Sequence, residues 1–315
     1  MTAHGLLVSS AETVADAEQA ATPGPIILSF DVEEHHRIEA AAGLEVPEGL
    51  PEHYRERTEV MTRWLLDRLA ERQLHATFFV LGKIAEYNPA LVRSIADAGH
   101  EVASHGWAHD RLHTLTPARF RDDVSRSKDA LEQATGRPVV GYRAPTFSIV
   151  PETLWALDVL VEEGFRYDSS IYPVHHDRYG IPLAPRTPFH AEGSRHRILE
   201  IPPATLRLFG VNLPVGGGGY FRLLPLFFLH WAIHQTRRTE ELPVVMLYFH
   251  PWEFDTEQER LPLPRVKAFR TYVGLKRSRG RLDSLLNEYR FARAMDVAHV
   301  LEEHPPQPVF RLAAA

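Results

Sequence analysis

Asp31 and Glu33, His105 and His109, Arg143 and His250 are the side chains of this sequence whose types and spacing suit acid–base chemistry around a divalent cation. Two imidazoles and one carboxylate make a cation site that keeps coordination positions open, as hydrolytic zinc sites require. Glu33 stands two residues beyond Asp31 and shares its face if the backbone is extended. One carboxylate can then bind a cation while the other polarises water. Glu34, His35 and His36 continue the run and read either as further ligands or as a polar loop. Spacing alone says little about the histidines. The chain holds 18 of them; chance gives about one His-x-x-x-His pair, and three occur, 105/109, 109/113 and 230/234. His230 and His234 lie in an apolar helical run and read as packing or surface groups. His105 and His109 follow a strand end and enclose Gly106, which lets the backbone turn sharply.

The positioning elements follow from the apolar pattern. Pro25 to Asp31 reads as a buried strand. Apolar positions at helical spacing over 57–73 predict a helix. A β-rich run covers 76–81, a helix runs on through Ala98 to stop at Gly99, and a third strand covers 100–104. Thr116 and Pro117 open a helix ending before Gly136. A fourth strand covers 139–142, a helix 151–163, and a fifth strand begins at Phe165. Strand and helix alternating in this way predict parallel βαβ units in a barrel or doubly wound sheet. Residues 172–220, rich in Pro and Gly, read as an inserted set of loops and hairpins. A helix near 222–237, a strand over 244–249 and a long or broken helix over 264–301 complete the chain. Asp31 and Glu33, His105 and His109, Arg143 and His250 then follow four strand ends, which a parallel barrel opens on one face.

Composition narrows the function classes. At 315 residues and net charge -6 the chain suits one large domain and offers no basic face for a phosphate backbone. The mixed stretch Lys276 to Arg281 reads as a solvated helix face. With no cysteine there is no disulfide, thiolate nucleophile or Cys-ligated zinc. Residues 1–23 read as a disordered lead-in without Sec signal features, no apolar run is long enough to span a bilayer, and a cytoplasmic protein is expected. Nothing argues for or against a homo-oligomer.

Taken together, these segments resemble the NodB-homology polysaccharide deacetylases, carbohydrate esterase family four. Ser29-Phe-Asp-Val-Glu33 is similar to that family's first motif, usually Thr-Phe-Asp-Asp-Gly, and Ser104-His-Gly-Trp-Ala-His109 to the second, His-Ser/Thr-x-x-His. Arg143-Ala-Pro-Thr-Phe147 is similar to the third, Arg-x-x-Pro-Tyr, and Leu247-Tyr-Phe-His250 stands where Leu-x-His is expected. Gly217 to Phe221, Tyr248 to Glu253 and Tyr289 to Phe291 resemble the branch associated with exosortase/PEP-CTERM exopolysaccharide loci, with a DUF3473-type C-terminal region.

The resemblance implies a distorted (β/α) barrel of about seven parallel strands over 24–255, with an insertion at 172–220 and a C-terminal helical extension over 256–315. It implies removal of N-acetyl groups from an amino-sugar polysaccharide or oligosaccharide, with a divalent cation: zinc first, then cobalt, nickel or manganese. Asp31 would be the base, His250 the acid, and Arg143 the group orienting Asp31. Glu33, His105 and His109 would hold the cation. The backbone N–H of Thr146 would bind the oxyanion, and Trp107, Phe147 and Tyr220 would line the sugar site. Asp168 reads as the carboxylate positioning His250 or as a turn former. Val32 departs from the motif, standing where the family has its second Asp, and this shifts ligation to Glu33. Two other functions fit the same residues, a hydrolase of cyclic ureides or imides (allantoinase-like) and a non-catalytic carbohydrate-binding relic.

Overall fold

Strand β1 (Ile26–Val32) is buried at every position, as a parallel strand covered on both faces must be. The computed structural model describes residues 24–240, 242–303 and 308–311; the lead-in expected over 1–23 lies outside them. After β1 come α1 (Leu50–Ala70), β2 (Thr77–Val80), α2 (Gly82–Tyr87), α3 (Pro89–Asp97), β3 (Glu101–Ser104), α4 (Pro117–Thr135), β4 (Gly141–Tyr142), α5 (Trp155–Glu162) and β5 (Tyr167–Asp168). The second half adds β6 (Phe189–Glu192), β7 (Arg197–Glu200), the hairpin β8 (Thr205–Leu208) and β9 (Val211–Pro214), α6 (Gly218–Leu223), α7 (Leu226–Thr239) and β10 (Val245–Phe249). It ends with α8 (Arg265–Tyr272), α9 (Leu275–Glu288), β11 (Phe291–Ala292), α10 (Ala294–Glu303) and β12 (Val309–Phe310). Among the described residues no helix is long and apolar enough to cross a membrane.

Local chemistry sets the boundaries. The Thr116 side chain accepts the Arg119 N–H at the start of α4, and Gly136 ends it at φ 67°, a left-handed cap. Two helices differ from the expected continuous ones because a proline interrupts each. Asn88 caps α3 at Pro89, and Pro225 separates α6 from α7.

Strands β10, β1, β2, β3, β4, β5 and β7 lie side by side in that order, and each neighbouring pair is parallel. The ring closes irregularly: Pro203, just past β7, bridges Met246 of β10, and Ala204 N–H donates to the Met246 carbonyl at 2.9 Å. This is a distorted α/β barrel. The stretch 172–220 is more than an insertion, since β7 is a barrel strand and β6 pairs antiparallel beside it. The tail from 256 is not wholly helical either: β11 pairs with β1 and β12 with β6.

Alternation along the strands sorts side chains into two layers. Ile26, Leu28, Phe30 and Val32 join the large cluster beneath the helices, whereas Ile27, Phe79, Ala103, Tyr167, Leu199 and Met246 form the cluster that fills the barrel. Asp31, Glu33, His105 and His250 continue the inward rows at the C-terminal mouth. Helix α10 closes the opposite end with Ala294, Val297, Ala298 and Leu301. There the buried Glu101 carboxylate accepts from Thr77 Oγ1 at 2.6 Å, Tyr167 Oη at 2.7 Å and Met295 N–H at 2.9 Å. Thr77 Oγ1 in turn accepts the Ala294 N–H at 2.7 Å. Thr77→Val removes a donor and an acceptor from this sealed network, so urea unfolding should show a loss of about 2–4 kcal/mol. An unchanged midpoint would mean that α10 is not held this way.

Candidate active site

Arg143 follows β4 and is fully buried. Its Nη1 donates to Asp31 Oδ1 at 2.6 Å and to Ser29 Oγ at 2.9 Å. Nη2 and Nε donate to Ser169 Oγ at 3.0 Å and the Ser169 carbonyl at 3.2 Å, and the guanidinium lies 4.0 Å over the Phe79 ring. One Asp31 oxygen is thereby fixed, and Oδ2 stands 3.9 Å from His250 Nε2.

Glu33, His105 and His109 each bring one ligand atom to a common point, all within 4.8 Å of one another. The Arg143 carbonyl sits 2.8 Å from His105 Nδ1, so Nδ1 carries the proton and Nε2 presents its lone pair, as second-shell carbonyls arrange in metal sites. Burial lowers the His105 pKa to about 4, which leaves the ring neutral. His109 adopts φ 70°, an uncommon left-handed conformation for a side chain of this size. Its Nε2 lies 2.7 Å from Glu33 Oε2, yet that buried oxygen has no hydrogen-bond donor. Burial alone would raise the Glu33 pKa, but His109, His250 and His105 outweigh it and hold the carboxyl well below the usual range. The His105 lone pair, a ring nitrogen of His109 and the anionic Glu33 oxygen converging in this way suit a divalent cation.

His250 follows β10. Its Nδ1 is 2.7 Å from Glu253 Oε1, and its backbone N–H donates to the same oxygen at 3.0 Å. The ring stacks on Trp252 at 5.3 Å, and Trp252 Nε1 donates to Glu33 Oε1 at 3.2 Å. Burial would lower the His250 pKa; the Glu253 hydrogen bond and the Glu33, Glu253 and Asp31 charges raise it to about 9. Glu253 is itself gripped by buried Arg222, Nε to Oε2 at 2.7 Å, and Arg222 also donates to the carbonyls of Thr271 and Val273.

The expected residues do not all meet. Asp31, Glu33, His105, His109, Arg143 and His250 share the mouth. Asp168 does not reach His250: alternation turns it to the helix side, where it accepts from Ser170 Oγ and faces Glu200, and Glu253 takes the place beside His250. Trp107 points away as well. Its ring lies under the Arg126 guanidinium at 3.6 Å in an outer groove with Glu86, Arg93 and Asp129. Phe147 is buried among Tyr172, Val174 and Tyr248, a floor rather than a sugar platform. Thr146 and Phe147 adopt φ 57° and 52°; strain of this kind in a β-branched residue clusters at functional sites. Tyr220 is half-buried near Tyr179 and Tyr172. His230 bonds the Tyr289 hydroxyl at 2.7 Å, a packing role. Glu253 was legible as the third residue after His250; Arg222, about 30 positions from its partner, carried no local signal.

Fold and pocket together define a distorted α/β-barrel protein with a carboxylate–imidazole pocket at its mouth. Residues 52–165 match the polysaccharide deacetylase family, and residues 169–299 match a domain of unknown function, DUF3473. The chain therefore carries a polysaccharide deacetylase domain of the NodB, carbohydrate esterase family four type, joined to a DUF3473 region. It is 32% identical over 113 residues to the peptidoglycan deacetylase of Helicobacter pylori, covering 36% of this chain and 37% of that protein. It is 33% identical over 96 residues to the chitooligosaccharide deacetylase of a Bradyrhizobium species, covering 30% of this chain and 42% of that one. The match thus spans well under half the length of these relatives. The fold is shared with a putative polysaccharide deacetylase from Mycobacterium smegmatis, at 22% identity, TM-score 0.56 and coverage of 94% and 97%. It is shared also with Puue allantoinase, at 16% identity, TM-score 0.59 and coverage of 91% and 96%.

Two tests follow from the geometry. Glu253→Gln leaves Arg222 buried without its counter-charge, which should cost about 3 kcal/mol in urea unfolding; a loss near zero would deny the clamp. The second concerns the Asp168 and Glu200 pair. Burial raises Asp168 to about 6, and burial with the facing Asp168 raises Glu200 well above the carboxylate range, while Arg143 draws Asp168 down. A pKa raised on folding favours the folded state only while the group stays protonated. The pair's contribution is therefore intact below the ordinary carboxylate pKa and is lost as pH rises towards the folded values. Glu200→Gln should flatten this decline between acidic and alkaline pH; an unchanged slope would show that no proton is shared.

Proposed function

We propose that this protein hydrolyses N-acetyl groups of an amino-sugar polysaccharide, using a divalent cation held by Glu33, His105 and His109. The observation that carries the reading is the donorless Glu33 Oε2 facing two imidazoles, with Asp31 and His250 in the same mouth. A bound cation supplies Lewis-acid polarisation of the amide carbonyl and acidifies water.

The chain's own residues supply the proton steps. Asp31 Oδ2 is the oxygen left to accept a proton from water, because Arg143 and the barrel wall fix Oδ1. His250 presents Nε2 to the pocket, since Nδ1 is committed to Glu253, and it delivers a proton to the departing nitrogen, without which an amine leaves poorly. The Thr146 N–H, on its strained turn, serves the developing oxyanion. Trp252 orients Glu33 and backs His250 at once. Zinc is the cation this donor set favours, with cobalt, nickel and manganese as substitutes. The resemblance of Gly217 to Phe221, Tyr248 to Glu253 and Tyr289 to Phe291 to the exosortase-associated branch favours a biosynthetic exopolysaccharide as the substrate class.

Acetate release from N-acetylated oligosaccharides, assayed with each of these metals, tests the reading. Ring opening of allantoin or a cyclic imide without acetate release would support the ureide-hydrolase alternative instead. His105→Ala should lose the bound metal, measured by elemental analysis. Asp31→Asn should keep it and lose turnover by about 10²–10⁴-fold. Should both variants retain metal and normal turnover, the assignment of roles is wrong.

A further inference from the structure

The stretch from Arg260 to Arg281 carries eight cations and no acid, in a chain whose net charge is -6. Three of the eight are engaged by groups of the fold, Arg260 while still exposed. Arg279 Nε donates to the Phe254 carbonyl at 2.7 Å, Arg281 Nη1 to the carbonyls of Phe221, Arg222 and Leu224, and Arg260 lies 4.9 Å over the Tyr272 ring. The other five, Arg265, Lys267, Arg270, Lys276 and Arg277, are exposed; Lys267 Nζ donates to the Ala40 carbonyl at 3.3 Å, and among the described residues none of the five pairs with an acid.

Helical period separates the two faces of α8. Ala268, Thr271 and Tyr272 turn inward, and the Tyr272 hydroxyl joins Leu261 N–H and His35 Nε2 at 2.7 and 3.0 Å. Opposite them, Val266 and Phe269 stand 66% and 60% exposed, flanked by Arg265, Lys267 and Arg270. Beyond α8, Lys276 and Arg277 occupy the first turn of α9, which holds no acid. That is the positive pole of the helix dipole, where a cation is unfavourable. Folding gains nothing from this placement; an external anion relieves both charges and dipole.

We propose that the outward face of α8, with the first turn of α9, docks this protein on an anionic lipid surface. A polyanion such as a nucleic acid or an acidic glycan would pair with the cations but would gain nothing from Val266 and Phe269 at their centre. A lipid interface takes both, burying the apolar pair below headgroups that neutralise the flanking charges. The helix lies close to the mouth of the barrel, because its inward Tyr272 bonds His35, whose ring is 4.9 Å from Trp252, which stacks on His250. A docked molecule would hold its pocket at the membrane surface, where a lipid-carried glycan would be presented.

Co-sedimentation of the full chain with phosphatidylcholine vesicles, with and without phosphatidylglycerol, tests this. Binding is expected only with the anionic lipid, and high salt should abolish it. The triple variant Arg265→Gln, Lys267→Gln, Arg270→Gln should lower the partition coefficient by on the order of 100-fold, about five-fold for each cation lost. Val266→Ser with Phe269→Ser should weaken vesicle binding too. Deacetylation of a soluble oligosaccharide should persist in both variants, so binding and activity fail independently. Absence of salt-sensitive binding, equal binding to neutral vesicles, or retention by alginate without vesicle binding would each overturn the proposal.

Discussion

A guanidinium sealed inside a protein must be surrounded by acceptors, because an unpaired buried charge costs several kcal/mol. Arg143 meets that demand with groups from around the barrel: Asp31 and Ser29 on β1, Ser169 after β5, and the face of Phe79 on β2. Its carbonyl sets the tautomer of His105 after β3. Each acceptor is also a structural fixture. Ser29 Oγ donates to the Leu247 carbonyl of β10, which places the strand that ends in His250. The base and one imidazole are thus positioned by a single buried residue, and displacing it would disturb both together.

The DUF3473 match begins at residue 169, yet it contains β7 and β10, without which the barrel has no closure. The polysaccharide deacetylase match ends at 165 and contains His105, His109 and Arg143 but not His250. Neither segment holds a complete pocket. Arg222 shows how deep the dependence runs, since it reaches Glu253 from one side and ties it to the carbonyls of Thr271 in the last turn of α8 and Val273 in the loop beyond it. The C-terminal region supplies His250 and then immobilises it.

Much of this was legible in the sequence because strand ends and period-two alternation are local properties. Asp31 and Glu33 share a face by spacing alone, and Thr116, Pro117 and Gly136 mark boundaries through their own backbone chemistry. The errors fell where side-chain direction depends on register. Asp168 and Trp107 stand beside correctly placed residues and point to the opposite layer, because one step along a strand or turn reverses the face. Short strands such as β11 and β12 left no periodic signal, and they form only because β1 extends past β2 at Ile26 and Ile27 and β6 has an edge open beside β7. The stretch Lys276 to Arg281, read as a solvated helix face, is one only at Lys276 and Arg277, because Arg279 and Arg281 turn back to backbone carbonyls; the basic face of α8 and its apolar centre appear only once that helix is rotated into place.

The position of β1 carries a consequence for how the chain is made. It leaves the ribosome well before its partner β10, which is synthesised roughly 220 residues later. Until then one edge of β1, apolar at almost every position, has no partner, the condition under which nascent chains aggregate or need holding. Contacts of such long sequence separation also slow folding. The pocket, built from β1 and the last barrel strand, is therefore complete only once β10 has been made, and a chain cut short of β10 would expose its adhesive edge without a complete active centre.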